Sequence, residues 1–335
     1  MVGRIFLKGL VVAFTILVVA ALQLLLFLSL PASKESPERE VSIPRGATFR
    51  EVVEILTSRG LLRHPLVFSL YGEVTDKDQK VKAGRYKLTP SLPPLEIMDR
   101  LVRGEVVLKK VTIPEGLTFT EIARILKHQG VIASVGDFTA LCQDHAFIQS
   151  LGIEAPSLEG YLFPDTYFFS EGLKSQEVIQ AMVDNFRRVW KPTFSQRARE
   201  LGLDDYQVLI LASIVEKETA VPEERPLIAA VFYNRLKRGM PLCSDPTVIY
   251  GLKTFNGNLT KEDLRRPTPY NTYLFRGLPP TPICNPGRES VLAALYPAQV
   301  DYLYFVSRND GTHHFSRTIS EHNRAVWRYQ KRRLK

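Results

Sequence analysis

Two glutamates, Glu216 and Glu218, close a stretch otherwise built for burial. Residues 206–218 read Tyr-Gln-Val-Leu-Ile-Leu-Ala-Ser-Ile-Val-Glu-Lys-Glu, with Asp204 and Asp205 before them and Pro222 after. An acidic N-cap, an apolar run and a proline stop predict a helix. Its apolar residues (Val208, Leu209, Ile210, Leu211, Ile214, Val215) lie nearly all round, so the helix belongs inside a domain. Glu218 follows Val215, Ile214 and Leu211 by three, four and seven positions and shares their face, whereas Glu216 shares that of Leu209, Ala212 and Ser213. Apolar neighbours and the negative end of the helix dipole both favour the neutral carboxylic acid. A carboxyl that keeps its proton near neutral pH is what a general acid needs to protonate a glycosidic oxygen. The spacing fits a plainer arrangement too, with both glutamates on an exposed last turn paired with Lys217 or Arg225.

Other polar and aromatic groups sit where a cleft could use them. Glu159, Tyr161 and Asp165 occupy a loop rich in aromatics (Phe163, Tyr167, Phe168, Phe169) that could equally be core. Asp245-Pro246-Thr247 reads as an N-cap with proline at the first helical position, or as a cleft residue. Tyr270, Asn271 and Tyr273 fall in a proline-rich, irregular stretch, where rings could stack on sugars and an amide could hold an N-acetyl group. Asn234 and Arg235 follow an apolar helical pattern, and Arg235 is expected to fix a carboxylate, Glu216 or Glu218. No metal-type HxxxH, GxSxG, HExxH, P-loop or GxGxxG occurs, so no metal and no cofactor is expected.

These residues need a scaffold, and the 335-residue chain is long enough for a small module and a catalytic-size domain. Residues 9–33 carry no charge, and Leu10 to Leu30 would span roughly 30 Å as a helix, the thickness of a bilayer core. The stretch exceeds a signal-peptide core, although Leu30-Pro31-Ala32-Ser33 resembles a cleavage site. With Arg4 and Lys8 before it, the expected topology is a single-pass anchor in the cytoplasmic (inner) membrane, N-terminus inside and the rest outside. The net charge of +9 includes a basic tail (Arg328, Lys331, Arg332, Arg333, Lys335). Export removes nucleic acid as a partner and leaves anionic lipid or acidic wall polymer. Three cysteines (Cys142, Cys243, Cys284) without a CxxC imply no disulfide framework; Cys243 and Cys284 read as a bridge or as buried thiols.

Past a polar linker, 34–40, one unit occurs twice. Val41-Ser-Ile-Pro-Arg-Gly-Ala-Thr-Phe-Arg-Glu-Val-Val-Glu-Ile-Leu returns as Val111-Thr-Ile-Pro-Glu-Gly-Leu-Thr-Phe-Thr-Glu-Ile-Ala-Arg-Ile-Leu. Each copy predicts a strand, a turn and a helix opened by a capping box, Thr48 with Glu51 and Thr118 with Glu121. With residues 83–88 as a closing strand, the first copy resembles a LysM-like βααβ module. The predicted fold is α+β: anchor and cytoplasmic tip 1–33, linker 34–40, LysM-like module 41–108, and a larger α+β catalytic domain 109–335 built on helices 205–219 and 224–238 beside short strands such as 302–306.

Seven blocks in order, Leu158-Glu-Gly-Tyr-Leu-Phe-Pro-Asp-Thr-Tyr167, Ala212-Ser-Ile-Val-Glu-Lys-Glu-Thr219, Tyr233-Asn-Arg-Leu236, Ser244-Asp-Pro-Thr-Val248, Tyr270-Asn-Thr-Tyr273, Gly277-Leu-Pro-Pro280 and Tyr302-Leu-Tyr-Phe-Val306, resemble the MltG-type (YceG-like) endolytic murein transglycosylases. The resemblance runs from about residue 41 to the end. It implies non-hydrolytic cleavage of the β-1,4 bond between N-acetylmuramic acid and N-acetylglucosamine in peptidoglycan strands, leaving a 1,6-anhydro end. The family's acid, a glutamate followed by a small hydroxyl residue, maps onto Glu218-Thr219, with Glu216 the alternative. One carboxyl suffices for such chemistry, whereas ordinary glycoside hydrolysis usually takes two. The resemblance also implies work on nascent strands, setting their length beside peptidoglycan synthases. Two readings compete: a hydrolytic muramidase with Asp245 or Glu159 as second carboxyl, and an inactive glycan-binding scaffold for cell-wall synthases.

Overall fold

The computed structural model describes residues 2–219 and 221–331, so Arg332, Arg333 and Lys335 of the basic tail lie outside the described residues. The chain forms two compact units, residues 1–109 with 170–172, and residues 110–169 with 173–335. Both mix helices with two-stranded sheets.

In the first unit, helix α1 (Val2–Ser29) carries the apolar span Leu10–Ser29, long and apolar enough to cross a membrane. It is followed by β1 (Arg39–Ile43), α2 (Phe49–Ser58), α3 (Pro65–Val74), β2 (Gly84–Leu88) and α4 (Pro94–Arg103). Strands β1 and β2 pair antiparallel, Val41 opposite Tyr86, and alternate residues Val41, Ile43, Tyr86 and Leu88 enter a core shared with Val52, Leu56, Phe68, Ile97 and Leu101. The linker segment is stitched onto the unit. Ser33 N donates to the Pro90 carbonyl (2.9 Å), Thr89 Oγ1 to the Ser36 carbonyl (2.9 Å), and β1 already starts at Arg39.

The second unit repeats the plan. Strand β3 (Lys109–Thr112), α5 (Phe119–His128), α6 (Val135–Leu141), α7 (His145–Ser150) and β4 (Thr166–Phe169) follow, and β3 pairs with β4. Both capping boxes form as the sequence predicts, Thr48 with Glu51 and Thr118 with Glu121. The glycines before them, Gly46 and Gly116, hold φ near +79° and +78°. The buried set Val111, Ile113, Ile122, Leu126 and Val131 takes the places of Val41, Ile43, Val52, Leu56 and Leu61 in the first unit. The copies differ in closure, since α7 and a long loop intervene before β4.

Helices α8 (Ser175–Val189), α9 (Pro192–Glu200), α10 (Asp205–Glu218), α11 (Arg225–Lys237), α12 (Asp245–Gly251) and α13 (Arg288–Leu295), the hairpin β5 (Tyr304–Ser307)–β6 (His313–Ser316) and α14 (Ile319–Val326) complete this unit. Helix α10 lies inside it as its pattern requires: every residue from Val208 to Val215 is buried, against α11, α13 and Ile283. Asp204 caps it in a box with Gln207. The expected helix 224–238 is a 3-10 turn, Pro222–Glu224, running into α11. All three cysteines are free, Cys142 and Cys284 buried and Cys243 half-buried, so no Cys243–Cys284 bridge forms.

Candidate active site

Helix α10 ends on Glu218, whose side chain emerges half-buried where the apolar packing stops. Burial pushes its carboxyl up to about 7; the Ser244 hydroxyl and Arg235 pull down, and Asp245 pushes further up. Ser244 Oγ donates to Oε1 at 2.5 Å. No hydrogen bond among the described residues engages Oε2.

Ser244 is 1% exposed and heavily constrained. It stands at the N-cap of α12 but makes no side-chain cap bond, its hydroxyl being turned to Glu218. Its own N–H donates to Thr272 Oγ1 (3.0 Å), its carbonyl accepts from Thr247 Oγ1 (2.7 Å), and Thr247 and Thr272 share a hydroxyl contact of 2.8 Å. Cys243 beside it, at φ +50°, donates N–H to the Thr272 carbonyl. Two loops are thereby sewn together under the acid. The expected N-cap role of Asp245 thus belongs to Ser244. Asp245 is the first residue of α12, exposed, and accepts from Tyr273 OH at 2.6 Å. Ser244, Thr247 and Thr272 escaped the sequence reading, although the Ser-Asp-Pro-Thr and Tyr-Asn-Thr-Tyr blocks contain them.

Glu216 is placed differently. Its side chain is 7% exposed, Oε1 lies 3.7 Å from Arg225 Nη2, and Oε2 accepts from Gly287 N (2.9 Å). Both oxygens are committed to structure. The Arg225 pairing follows the plainer sequence reading, whereas Lys217 donates to the Gly116 carbonyl (3.2 Å). Thr219, the C-cap, is buried; its hydroxyl accepts from Val221 N and reaches Glu224 Oε2 at 3.5 Å. Glu224 in turn holds His313 of the hairpin through both its N–H (2.7 Å) and Nδ1 (2.6 Å).

The other predicted site residues divide. Tyr273 and Asp245 are brought to Glu218, and Arg235 stands near enough to act on it electrostatically. Arg235 does not fix a carboxylate, however: its guanidinium donates to the Leu303 and Leu242 carbonyls and lies 5.4 Å from the Tyr304 ring centroid. Asn234 likewise donates to the Val300 and Tyr302 carbonyls. Asn271 is fully buried, its amide holding the carbonyls of Leu264 and Arg266 and its oxygen the Tyr273 N–H, so nothing remains for an N-acetyl group. Glu159 is 1% exposed and accepts from Phe119 N, Asn285 Nδ2 and Tyr250 OH; burial raises it to about 8 against those three donors. It is a knot in the core, not a cleft wall. Tyr270 bonds Thr281 and packs edge-on to Tyr250. Asp165 is exposed and binds Asn185 (2.8 Å), while Tyr161 lines a cavity of about 630 Å³ with Phe186, Trp190 and Tyr206, at the opposite end of α10. Sequence order could not separate these groups, because each is polar or aromatic in a loop and only packing decides which atom faces out.

The YceG-like family model matches residues 41–328. The endolytic murein transglycosylase of Bacillus subtilis is 32% identical over 316 residues, spanning 89% of this chain and 87% of that protein. The protein of the same name from Streptococcus pneumoniae serotype 2 is 32% identical over 317 residues, 85% of this chain and 57% of its own length. A crystal structure of a YceG-like protein from Listeria monocytogenes, 32% identical, superposes with a TM-score of 0.60 over 87% of this chain and 99% of that one. With the family pattern running through both units and Glu218 at the end of the buried helix, the chain belongs to the YceG-like family.

Proposed function

We propose that the chain is an endolytic lytic transglycosylase of peptidoglycan with Glu218 as its one catalytic carboxyl. The observation that carries this is Glu218 itself: a half-buried carboxyl raised to about 7, one oxygen bound by Ser244 and the other without a hydrogen bond among the described residues. The names of the Bacillus and Streptococcus relatives support murein as the substrate class.

Glu218 protonates the oxygen of the β-1,4 bond between N-acetylmuramic acid and N-acetylglucosamine as the C1–O bond breaks. The resulting carboxylate then accepts the proton of the muramyl 6-hydroxyl as that oxygen closes on C1, leaving a 1,6-anhydro end and the acid restored. Both proton transfers use one group, which suits a pKa close to operating pH. The apolar span of α1 supports a single-pass anchor in the cytoplasmic membrane, and Arg4 and Lys8 before it support an N-terminus inside. The βααβ order of residues 39–88 supports a LysM-like module in the 41–108 segment, ahead of a catalytic domain from 109 on. An enzyme so tethered cuts nascent strands near the membrane, beside the synthases that extend them.

The test is mass spectrometry of strands digested by the full chain, which is expected to yield 1,6-anhydro ends and to lose them with Glu218→Gln. Asp245 supports the hydrolytic alternative, because it is exposed and acts electrostatically on Glu218. Ends one water heavier, lost with Asp245→Asn, would establish hydrolysis instead.

A further inference from the structure

Helix α3 turns three large apolar side chains away from its own core. Leu66, Leu70 and Val74 are 85%, 49% and 75% exposed and, at positions i, i+4 and i+8, form one stripe. Phe68 and Gly72 fill the core side of the same helix, so the fold of the unit does not need the stripe. Single exposed apolar residues are ordinary, whereas a contiguous row marks a contact surface.

What covers it follows from where α3 begins. Its N-cap, His64, lays its ring against Phe27 in the last turn of α1, with centroids 4.6 Å apart. Arg63 Nε donates to the carbonyl of Ala32 at 2.5 Å, just beyond the end of α1. Leu28 of α1 is itself 1% exposed and belongs to the core of this unit. The apolar helix is therefore gripped at its end by the start of α3, and Leu66 follows two residues after the His64 that holds it.

We propose that α3 is a lipid-contacting helix whose Leu66, Leu70 and Val74 stripe lies in the outer interface of the bilayer, a reading that rests on α1 being a membrane anchor. An amphipathic face seated at the headgroup boundary binds through buried apolar area and attraction to anionic lipid. Glu73 next to Val74 keeps the far end of the stripe shallower than the Leu66 end. The consequence is mechanical: the unit is held against the membrane at two places and cannot swivel about α1.

The test uses the full chain in phosphatidylcholine–phosphatidylglycerol vesicles. With Cys142 and Cys284 buried, a Cys243→Ser background leaves the thiol of Leu70→Cys for a polarity-sensitive dye. Lys87→Cys is the control, on the outer face of β2 between buried Tyr86 and Leu88. The Leu70 label is expected to shift to the blue and to be quenched at least twofold by lipid carrying a shallow nitroxide, and the Lys87 label not. Replacing Leu66 and Val74 by Gln, both surface positions, should more than halve that quenching while circular dichroism stays unchanged. Flotation with the vesicles reports the anchor separately. A chain that fails to float sinks both readings, whereas a chain that floats with an unquenched Leu70 label overturns the α3 proposal alone. A blue shift that needs no lipid and grows with protein concentration would mark a contact between copies and overturn it too.

Discussion

Glu218→Gln keeps the shape of the site and removes its proton, so the variant separates chemistry from folding. Strand cleavage should fall by roughly 10²–10⁴-fold or more, the usual contribution of a positioned acid. Stability should move the other way, and the sign can be worked out. The folded carboxyl titrates near 7 against 4.5 for an unperturbed glutamate, so its contribution to stability is present below about 4.5 and is lost as pH rises through 7. The loss is on the order of 3 kcal/mol at most. The Gln variant cannot ionise there and should melt higher than the parent at pH 8 and no higher at pH 4; equal melting at pH 8 would contradict a buried acid. Ser244→Ala gives a finer test. The Ser244 hydroxyl holds the carboxyl down, so its loss should lower kcat while moving the alkaline limb of the pH–rate profile upward. A drop without a shift would mean that Ser244 only packs. Spacing alone placed Glu218 on an apolar face, and desolvation there, with the helix dipole, gave the direction of its shift. It could not place Ser244, 26 residues on, because the hydroxyl reaches the acid only when Thr247 and Thr272 draw two loops together.

Among elements, the repeat was the most legible feature and its closure the least. Strand, turn, capping box and helix could be read twice because each is local: a Pro-x-Gly, a Thr with Glu three residues on, and apolar residues at helical spacing. That β4 pairs with β3 was not legible, since more than fifty residues separate them and closure depends on packing. Glu159 is the joint that holds this arrangement to the site. It binds Phe119 N at the start of α5, Tyr250 on α12 and Asn285 in the loop before α13. Glu159→Ala would strand these buried donors, at about 1–3 kcal/mol each when unsatisfied. We expect a loss of several kcal/mol in urea unfolding, with activity falling only as the folded fraction falls. A stable but inactive Glu159→Ala would return this residue to the chemistry. Gly160 next to it leaves no room for a side chain: at φ +90° an added Cβ would meet Pro282 at 2.8 Å, and Gly160→Ala should destabilise the same joint.

At the scale of the whole chain, the membrane anchor proposed for α1 would decide where an acid at Glu218 can work. A tether confines the catalytic unit to a layer next to the membrane and raises its effective concentration there, while strands farther out stay beyond reach. A freely diffusing enzyme with the same active site would cut old and new strands alike. Replacing residues 1–23 with a cleavable export signal, which leaves Leu24, Phe27, Leu28 and Ser33 in place on the first unit, should therefore leave kcat on isolated strands unchanged and alter only which strands are cut. In cells given a short pulse of labelled wall precursor, the anchored enzyme should place anhydro ends preferentially in labelled material. The released enzyme should bring the ratio of labelled to unlabelled anhydro ends down towards their ratio in the wall. Equal distributions from both forms would mean that access is set by the chemistry of nascent strands, such as uncross-linked stem peptides, and that α1 serves retention alone. Composition alone gave the long apolar helix in the first thirty residues, because a bilayer-length span asks only for length and apolarity. The stitching of residues 33–39 onto the first unit was hidden, since Pro90 and Thr89 receive that segment from a distant part of the chain. That short connection sharpens the prediction: a unit held close to the end of α1 has little slack, and the preference for new strands should disappear when a long flexible linker is inserted after Ser29 and the two contacts that hold the end of α1 to the unit are removed by Phe27→Ala and Leu28→Ser.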